Sequence, residues 1–368
     1  MKSITSVKNL KGKTVILRTD FNVPIKGGKV VDDFRIKVAL PTIKLLKKGG
    51  ASVVIVSHSD INEDTQTLAP VARELAKYIK IRFVKDSLPA KLTLKDGEVV
   101  LLENIRRVKG EIKNDQKLSK ALSSFGDIYV NDAFPVSHRE HASIVGIPKY
   151  LPSYAGLQLE KEILHLSKLI KKPTKPFLVI IGGAKFKTKL PLIKRFLKNA
   201  DHVFVGGALA NDFLKLAGFE VGKSLVEEGY DLKPLLKNKK ILLPIDVVVL
   251  RKGKAQSCLL EEVESDDVII DSGKNTTKLL SKIVANSKTV LWNGPLGKYE
   301  NPHGKGSSLA VLNALTKNRK CFSVIGGGDI TAVSTPAIEK KLSFVSTGGG
   351  ATLEFLATGT LPGIKALK

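Results

Sequence analysis

The chain has 368 residues, 43% of them hydrophobic, and carries 60 Lys and Arg against 35 Asp and Glu, a net charge of +25. Two cysteines, Cys258 and Cys321, argue against a disulfide framework or a cysteine metal centre and fit a reducing cytoplasm. No window approaches the roughly 18 apolar residues of a membrane span, and the start, Met1-Lys2-Ser3-Ile4-Thr5, lacks the apolar core of a signal peptide.

In chain order, Val15 to Leu17 reads as a strand closed by Arg18-Thr19-Asp20-Phe21-Asn22-Val23-Pro24. Asp33-Phe34-Arg35 opens a helix with Ile36, Leu40, Ile43 and Leu46 on one face, stopped at Gly49-Gly50. Strands follow at Ala51 to Val56, Glu98 to Leu102 and Ile128 to Val130, alternating with helices at Leu68 to Ile79 and Lys117 to Phe125. That alternation predicts a parallel α/β sheet, whose ligands bind beyond the carboxyl ends of the strands. Asp20, Asn22, His58, Arg106, His138 and Arg139 collect there, with Arg35 at a nearby helix start: a basic rim for a small anion bearing hydroxyls. Tyr154 to Ile170 reads as one long helix ended by Pro173, placed to join two domains.

The second half repeats the pattern. Strands at Phe177 to Ile181, His202 to Val205, Ile241 to Val249 (broken at Pro244), Val268 to Ile270 and Thr289 to Trp292 mostly run into glycine. Two further strands end in three glycines each: Gly326-Gly327-Gly328, followed by Asp329, and Gly348-Gly349-Gly350. A strand feeding bare backbone at a helix start makes an anion site, and Asp329 beside it points to Mg²⁺ bridging protein and phosphate. Lys185 and Lys189, four apart after Gly182-Gly183, are expected on one helical face, touching successive phosphates. A P-loop is excluded because its first glycine would fall at Ala217, and no GxGxxG follows a strand. Paired anion sites in two halves suggest phosphoryl transfer, which needs positioning and positive charge more than covalent help. The dispersed lysines, with only 6% aromatic residues, fit a surface that attracts small phosphorylated ligands better than one that binds nucleic acid.

An ordered series of motifs resembles phosphoglycerate kinase from Val15 to Gly363. It includes Arg18-Thr19-Asp20-Phe21-Asn22-Val23-Pro24, Leu102-Glu103-Asn104-Ile105-Arg106, His138-Arg139-Glu140-His141, Gly182-Gly183-Ala184-Lys185, Trp292-Asn293-Gly294-Pro295, Gly326-Gly327-Gly328-Asp329 and Ser346-Thr347-Gly348-Gly349-Gly350-Ala351. The resemblance implies two doubly wound parallel-sheet domains facing each other across a cleft: 1–153 with a returning segment from about Thr358, a joining helix 154–172, and 173–357. It implies reversible, Mg²⁺-dependent transfer between 1,3-bisphosphoglycerate and ADP, giving 3-phosphoglycerate and ATP, in a cytoplasmic monomer. Asp20, Asn22, Arg35, His58, Arg106 and Arg139 match the substrate positions. Lys185 matches the lysine that follows the transferred phosphoryl group, with Arg35 assisting, and Gly327, Gly328, Gly349 and Gly350 the surrounding backbone. Lys189, Gly206, Gly207, Asn293, Pro295, Glu300 and Gly326 to Asp329 match nucleotide positions, with Asp329 the metal ligand.

The chain departs from the family pattern in places. His-Leu-Gly-Arg-Pro is His58-Ser59-Asp60-Ile61-Asn62 here, which removes an arginine partner of the substrate; Arg107 or Lys109 is placed to compensate in charge. Ile330 stands where a hydroxyl residue usually follows the aspartate, with Thr331 next to it, and Ala208 replaces a third glycine. Two rival readings follow. One is a catalytically weakened relative that binds anions or RNA; the other is a dinucleotide-dependent oxidoreductase, which lacks its glycine fingerprint. In-line transfer between reactants held on different domains requires reacting atoms about 3–3.5 Å apart, so the domains are expected to swing together. Small-angle scattering should show full compaction only with both substrates present; an unchanged radius of gyration in the ternary complex would overturn the hinge.

Overall fold

The structure, a computed structural model, describes residues 1–60, 67–227 and 229–367. The chain divides into two compact units, Met1–Leu164 joined by the stretch from Thr360 onward, and His165–Gly359.

The first unit runs β1 (Thr14–Arg18), a short hairpin of β2 (Ile25–Lys26) and β3 (Lys29–Val30), α1 (Phe34–Lys48), β4 (Ser52–Val56), α2 (Ala69–Leu75), β5 (Arg82–Val84), β6 (Val99–Leu102), α3 (Gln116–Ser123), β7 (Ile128–Asn131) and β8 (Ser153–Ala155). Its parallel sheet has the order β5-β6-β4-β1-β7-β8. The central strands β4, β6 and β7 are buried at every position, which is why they read as apolar runs and not as alternating patterns. Ile36, Ile43 and Leu46 of α1 pack with Val15, Leu17, Val53 and Ile55 in one core.

Helix α4 (Leu157–Lys171) contains the boundary between the units. It begins three residues later than the sequence pattern indicates. Ser153–Ala155 pairs in parallel with β7, so Tyr154 belongs to the sheet edge and not to the helix. The helix start is fixed by Asp132, whose carboxylate accepts from the amides of Gln158 (2.8 Å) and Leu159 (3.1 Å). A Cβ at Gly156 would stand 2.3 Å from that same carboxylate, so only glycine allows the approach.

The second unit continues β9 (Phe177–Ile181), α5 (Phe186–Phe196), β10 (His202–Val205), α6 (Ala208–Leu216), α7 (Lys233–Leu236), β11 (Ile241–Leu242), β12 (Asp246–Arg251), β13 (Lys254–Leu259), β14 (Val268–Ser272), α8 (Lys274–Asn286), β15 (Thr289–Asn293), α9 (Gly306–Lys317), β16 (Phe322–Gly326), α10 (Gly328–Val333), α11 (Pro336–Glu339), β17 (Phe344–Ser346) and α12 (Gly350–Thr358). Its parallel sheet is ordered β11-β10-β9-β15-β16-β17. Three strands form a separate antiparallel sheet, β13-β12-β14. The repeated strand pattern of this half suggests one parallel sheet, yet the segments of β12 and β14 lie outside it. Short apolar runs do not reveal which partners they pair with. After Gly327 the chain forms two short helices, α10 and α11, and not one, because Pro336 disfavours helical backbone at Thr335, which is extended (φ −118°, ψ 157°). The C-terminal helix α13 (Pro362–Lys365) belongs to the first unit, where the Gly363 amide donates to Ser137 O at 2.8 Å.

Burial pushes the Asp132 carboxyl up to about 6. Between about pH 4 and 6 the folded protein therefore keeps a proton there that the unfolded chain has lost. Its contribution to stability falls as pH rises through that window and is level above it. Relative to Asp132→Asn, the wild type should lose on the order of 1–3 kcal/mol between pH 4 and 7, read from urea unfolding at each pH. A difference that does not change with pH would show that this carboxyl titrates normally.

Candidate active site

In the first unit, the residues singled out from the sequence lie beyond the carboxyl ends of β1, β4, β6 and β7. Asp20 and Asn22 follow β1. The Asp20 carboxylate accepts from Arg35 at 2.8 Å and from the Asn22 amide at 3.0 Å, and the Asn22 carbonyl accepts from Arg35 at 3.2 Å. Arg35 is thereby held in place from the second position of α1. His58, after β4, is 1% exposed. Burial, reinforced by Arg18, Arg106, Arg35 and Arg139, holds its imidazole well below the usual histidine range, so it is neutral. A neutral ring can hydrogen-bond a ligand without adding charge.

Arg106 follows β6, and the Asn104 side chain shapes its turn by accepting from the Arg106 amide at 3.1 Å. Its guanidinium NH1 reaches Asp60 at 3.3 Å, while Nε and NH2 are buried with no hydrogen-bond partner. Donors left unmatched at a sheet's carboxyl edge mark a position for an anion. Burial, then Arg139, lowers its pKa from the ordinary arginine value. Arg139 is exposed. Beneath these groups lies a layer the motifs did not single out. Arg18 is fully buried and donates through Nε to Ser143 Oγ at 2.8 Å; its NH2 lies 3.3 Å from His58 Nδ1. Ser143 Oγ in turn donates to the buried Glu111 at 2.6 Å. The only sequence signal for this layer was the charge of Arg18 inside its motif. Glu111 and Ser143 are brought there by tertiary packing.

In the second unit, the glycines at the strand ends serve two purposes. A Cβ at Gly207 would lie 2.5 Å from Gly183 N, and one at Gly182 would lie 2.1 Å from Pro295 O. Together with Gly206, hemmed by Leu296 and Phe204, these positions let the loops after β9, β10 and β15 pack on one another. A Cβ at Gly328, Gly349 or Gly350 would meet nothing within 4 Å, so this backbone is open to a ligand. The helices α5, α6, α10 and α12 all start without a side-chain cap, leaving amide donors directed at the same edge. Asn293 is buried and donates to Gly326 O at 2.6 Å, which ties β15 to the Gly327 turn.

Lys185 and Lys189 do not share a helical face. Lys185 precedes α5 in the left-handed region (φ 50°, ψ 65°) and is exposed, whereas Lys189 is 6% exposed within the helix and donates to Gly182 O. The glycine turn takes its extra twist at the lysine itself, so the regular helix begins one residue late. A cavity of about 460 Å³ adjoins this edge, lined in part by Ala184, Gly207, Leu225, Pro295, Tyr299, Glu300 and Asp329. Its far wall is β14 and Val247 of the antiparallel sheet, so that additional sheet completes the pocket. Asp329 is an exposed carboxylate in the first turn of α10.

The profile described as phosphoglycerate kinase matches residues 4–359. The chain belongs to the phosphoglycerate kinase family. It is 40% identical to the phosphoglycerate kinase of Dictyoglomus turgidum, with 98% of this chain and 97% of the relative covered. It is also 40% identical to that of the Wolbachia of Brugia malayi, with 100% and 99% covered. Among solved structures, the phosphoglycerate kinase from Coxiella burnetii matches at 36% identity with a TM-score of 0.87, covering 99% of this chain and 98% of its own. That from Pyrococcus horikoshii matches at 32% identity and 0.86, covering 100% and 98%.

Departures from the phosphoglycerate kinase pattern take on physical content here. Ile330 is fully buried in the core with Trp292 and Ile325, so packing has claimed the position. Thr331 does not replace the lost hydroxyl: its Oγ1 donates to Gly328 O at 2.8 Å, within its own helix. Arg107 lies 3.6 Å from Glu103 and is already paired, while Lys109 is exposed. Ile61, where the family places its arginine, and Asn62 lie outside the described residues.

Burial, opposed by Asp329 and reinforced by Lys185, lowers the Lys189 pKa to about 8. Its charge is present below that pH and is lost above it. Binding of ADP should therefore weaken as pH rises through about 8, and Lys189→Arg, which keeps its charge, should remove that limb. Calorimetry between pH 7 and 9.5 reads the difference; an equal pH dependence in both proteins would acquit Lys189.

Proposed function

We propose that the protein catalyses reversible phosphoryl transfer between 1,3-bisphosphoglycerate and ADP, giving 3-phosphoglycerate and ATP, in the cytoplasm and as a monomer. The observation that carries this reading is that a chain matching the family from residue 4 to 359 keeps both halves of the chemistry. One unit has an arginine with two buried, unmatched nitrogens, and the other has an open glycine edge over a buried lysine. Two free cysteines accord with a reducing compartment, and among the described residues no helix is long and apolar enough to cross a membrane. The weakened anion- or RNA-binding alternative has no comparable support.

In this reading Arg106, Arg139, His58, Asn22 and Arg35 hold 3-phosphoglycerate, and Asp20 fixes the direction of Arg35. The substrate carboxylate is already ionised, so no general base is required. Its oxygen attacks the terminal phosphorus of ATP, the bond to the bridging oxygen breaks, and ADP leaves. Charge on the three equatorial oxygens is met by Lys185, by Arg35 and by the amides around Gly327, Gly328, Gly349 and Gly350. Lys189, Asn293 and Gly326 hold the phosphate side of the nucleotide. Gly206, Gly207, Pro295 and Glu300 line the base and ribose pocket.

A single exposed carboxylate beside phosphate-binding backbone fits Mg²⁺, which takes one or two carboxylates and draws its remaining ligands from phosphates and water. No group of three acidic, His or Cys side chains that could hold a metal occurs among the described residues. Asp329 would hold the ion together with the nucleotide, and the bound ion would neutralise charge between the outer phosphates.

A coupled assay with 3-phosphoglycerate and MgATP tests the activity. Lys185→Ala should lower kcat by a larger factor than it raises either KM, because its charge matters most when the phosphoryl group is between donor and acceptor. A near-normal kcat in that variant would remove Lys185 from its role.

A further inference from the structure

The basic site of the first unit contains a carboxylate that no part of the proposed mechanism uses. Asp60 follows β4 by four residues, and its two oxygens are divided between two substrate-binding candidates. Oδ2 accepts from Asn22 Nδ2 at 2.9 Å, and Oδ1 accepts from Arg106 NH1 at 3.3 Å. The Asp60 amide returns the contact, donating to Asn22 Oδ1 at 3.1 Å. The two members of the ion pair differ sharply in exposure: the Arg106 side chain is 10% exposed and that of Asp60 is 63% exposed. Asp20 is the contrasting case, with its side chain 4% exposed and locked to Arg35.

We propose that Asp60 is an internal competing anion of the substrate site. It satisfies Asn22 and one edge of Arg106 until a ligand anion displaces it, and so helps set which anions bind and how tightly. This rests on the substrate reading given above. Three points support it. Arg106 keeps Nε and NH2 without a partner, so Asp60 meets only part of its donor capacity. A ligand offering two or three oxygens on one centre can engage both edges of the guanidinium, which the 3.3 Å contact of Asp60 does not. The Asp60 side chain stands largely in water while two Arg106 nitrogens are buried, so it is the carboxylate and not the guanidinium that gives way to a ligand. The result is a threshold: a monoanionic carboxylate gains little over Asp60, while a phosphate gains charge and a second edge.

The test is Asp60→Asn, with Asp60→Ala as a second neutral replacement; the site is exposed enough for both to fold. Inorganic phosphate binding, followed by calorimetry at low salt, should tighten roughly two- to fivefold in both variants, the range expected for losing one exposed ion-pair competitor. The gain should shrink as salt is added. In the kinetic assay the KM for 3-phosphoglycerate should fall while the KM for MgATP stays, because Asp60 and the nucleotide edge belong to different units. Unchanged or weaker phosphate binding would overturn the proposal; weaker binding would make Asp60 a support for Asn22 instead. Phosphate binding is read without turnover, so the proposal stands or falls separately from the enzymatic reading.

Discussion

A cation stripped of water and left short of partners is unstable by itself, and both halves of this protein are organised around one. In the first unit it is Arg106, two of whose guanidinium nitrogens are buried and unmatched. In the second it is Lys189, whose ammonium burial drives toward neutrality. The fold tolerates both because the surrounding parallel strands are held by their own hydrogen bonds over a largely apolar core. Unfavourable burial is concentrated at the carboxyl edges, where a ligand can offset it. Preorganised donors of this kind cost nothing further when charge develops on a reacting group.

The first unit restrains the repulsion among its arginines by a division of labour. His58 is kept neutral, and Asp20 and Glu111 are buried as fixed counter-ions, the latter acting through Ser143 on Arg18. Asp60 is the exposed member of this set, shared between Asn22 and Arg106.

The second unit solves a different problem. Its anion donors are backbone amides, which cannot be directed by rotamer and must be placed by the fold. Close packing of the loops at Gly182, Gly206 and Gly207 fixes the floor, and the unobstructed glycines at 328, 349 and 350 leave the roof open. Asn293, bridging from β15 to Gly326, keeps the two parts in register.

The alternation of strands and helices, the strand-end glycines and the order of the motifs were legible in the sequence because they are local: periodicity, turn chemistry and residue type act within a few positions. That was enough for the two parallel sheets and for the candidate residues at their edges. Other features depended on distant partners and could not be read. Ser153–Ala155 became a strand because β7 offered it an edge, and β12 and β14 left the main sheet to pair with each other. Lys185 and Lys189 parted because the turn after Gly183 used a left-handed residue before the helix began. Glu111 and Ser143 carry no motif signal, yet packing sets them beneath Arg18. Residue type and spacing determined which groups were available; strand pairing and burial decided which of them meet, because those energies depend on contacts between residues far apart in the chain.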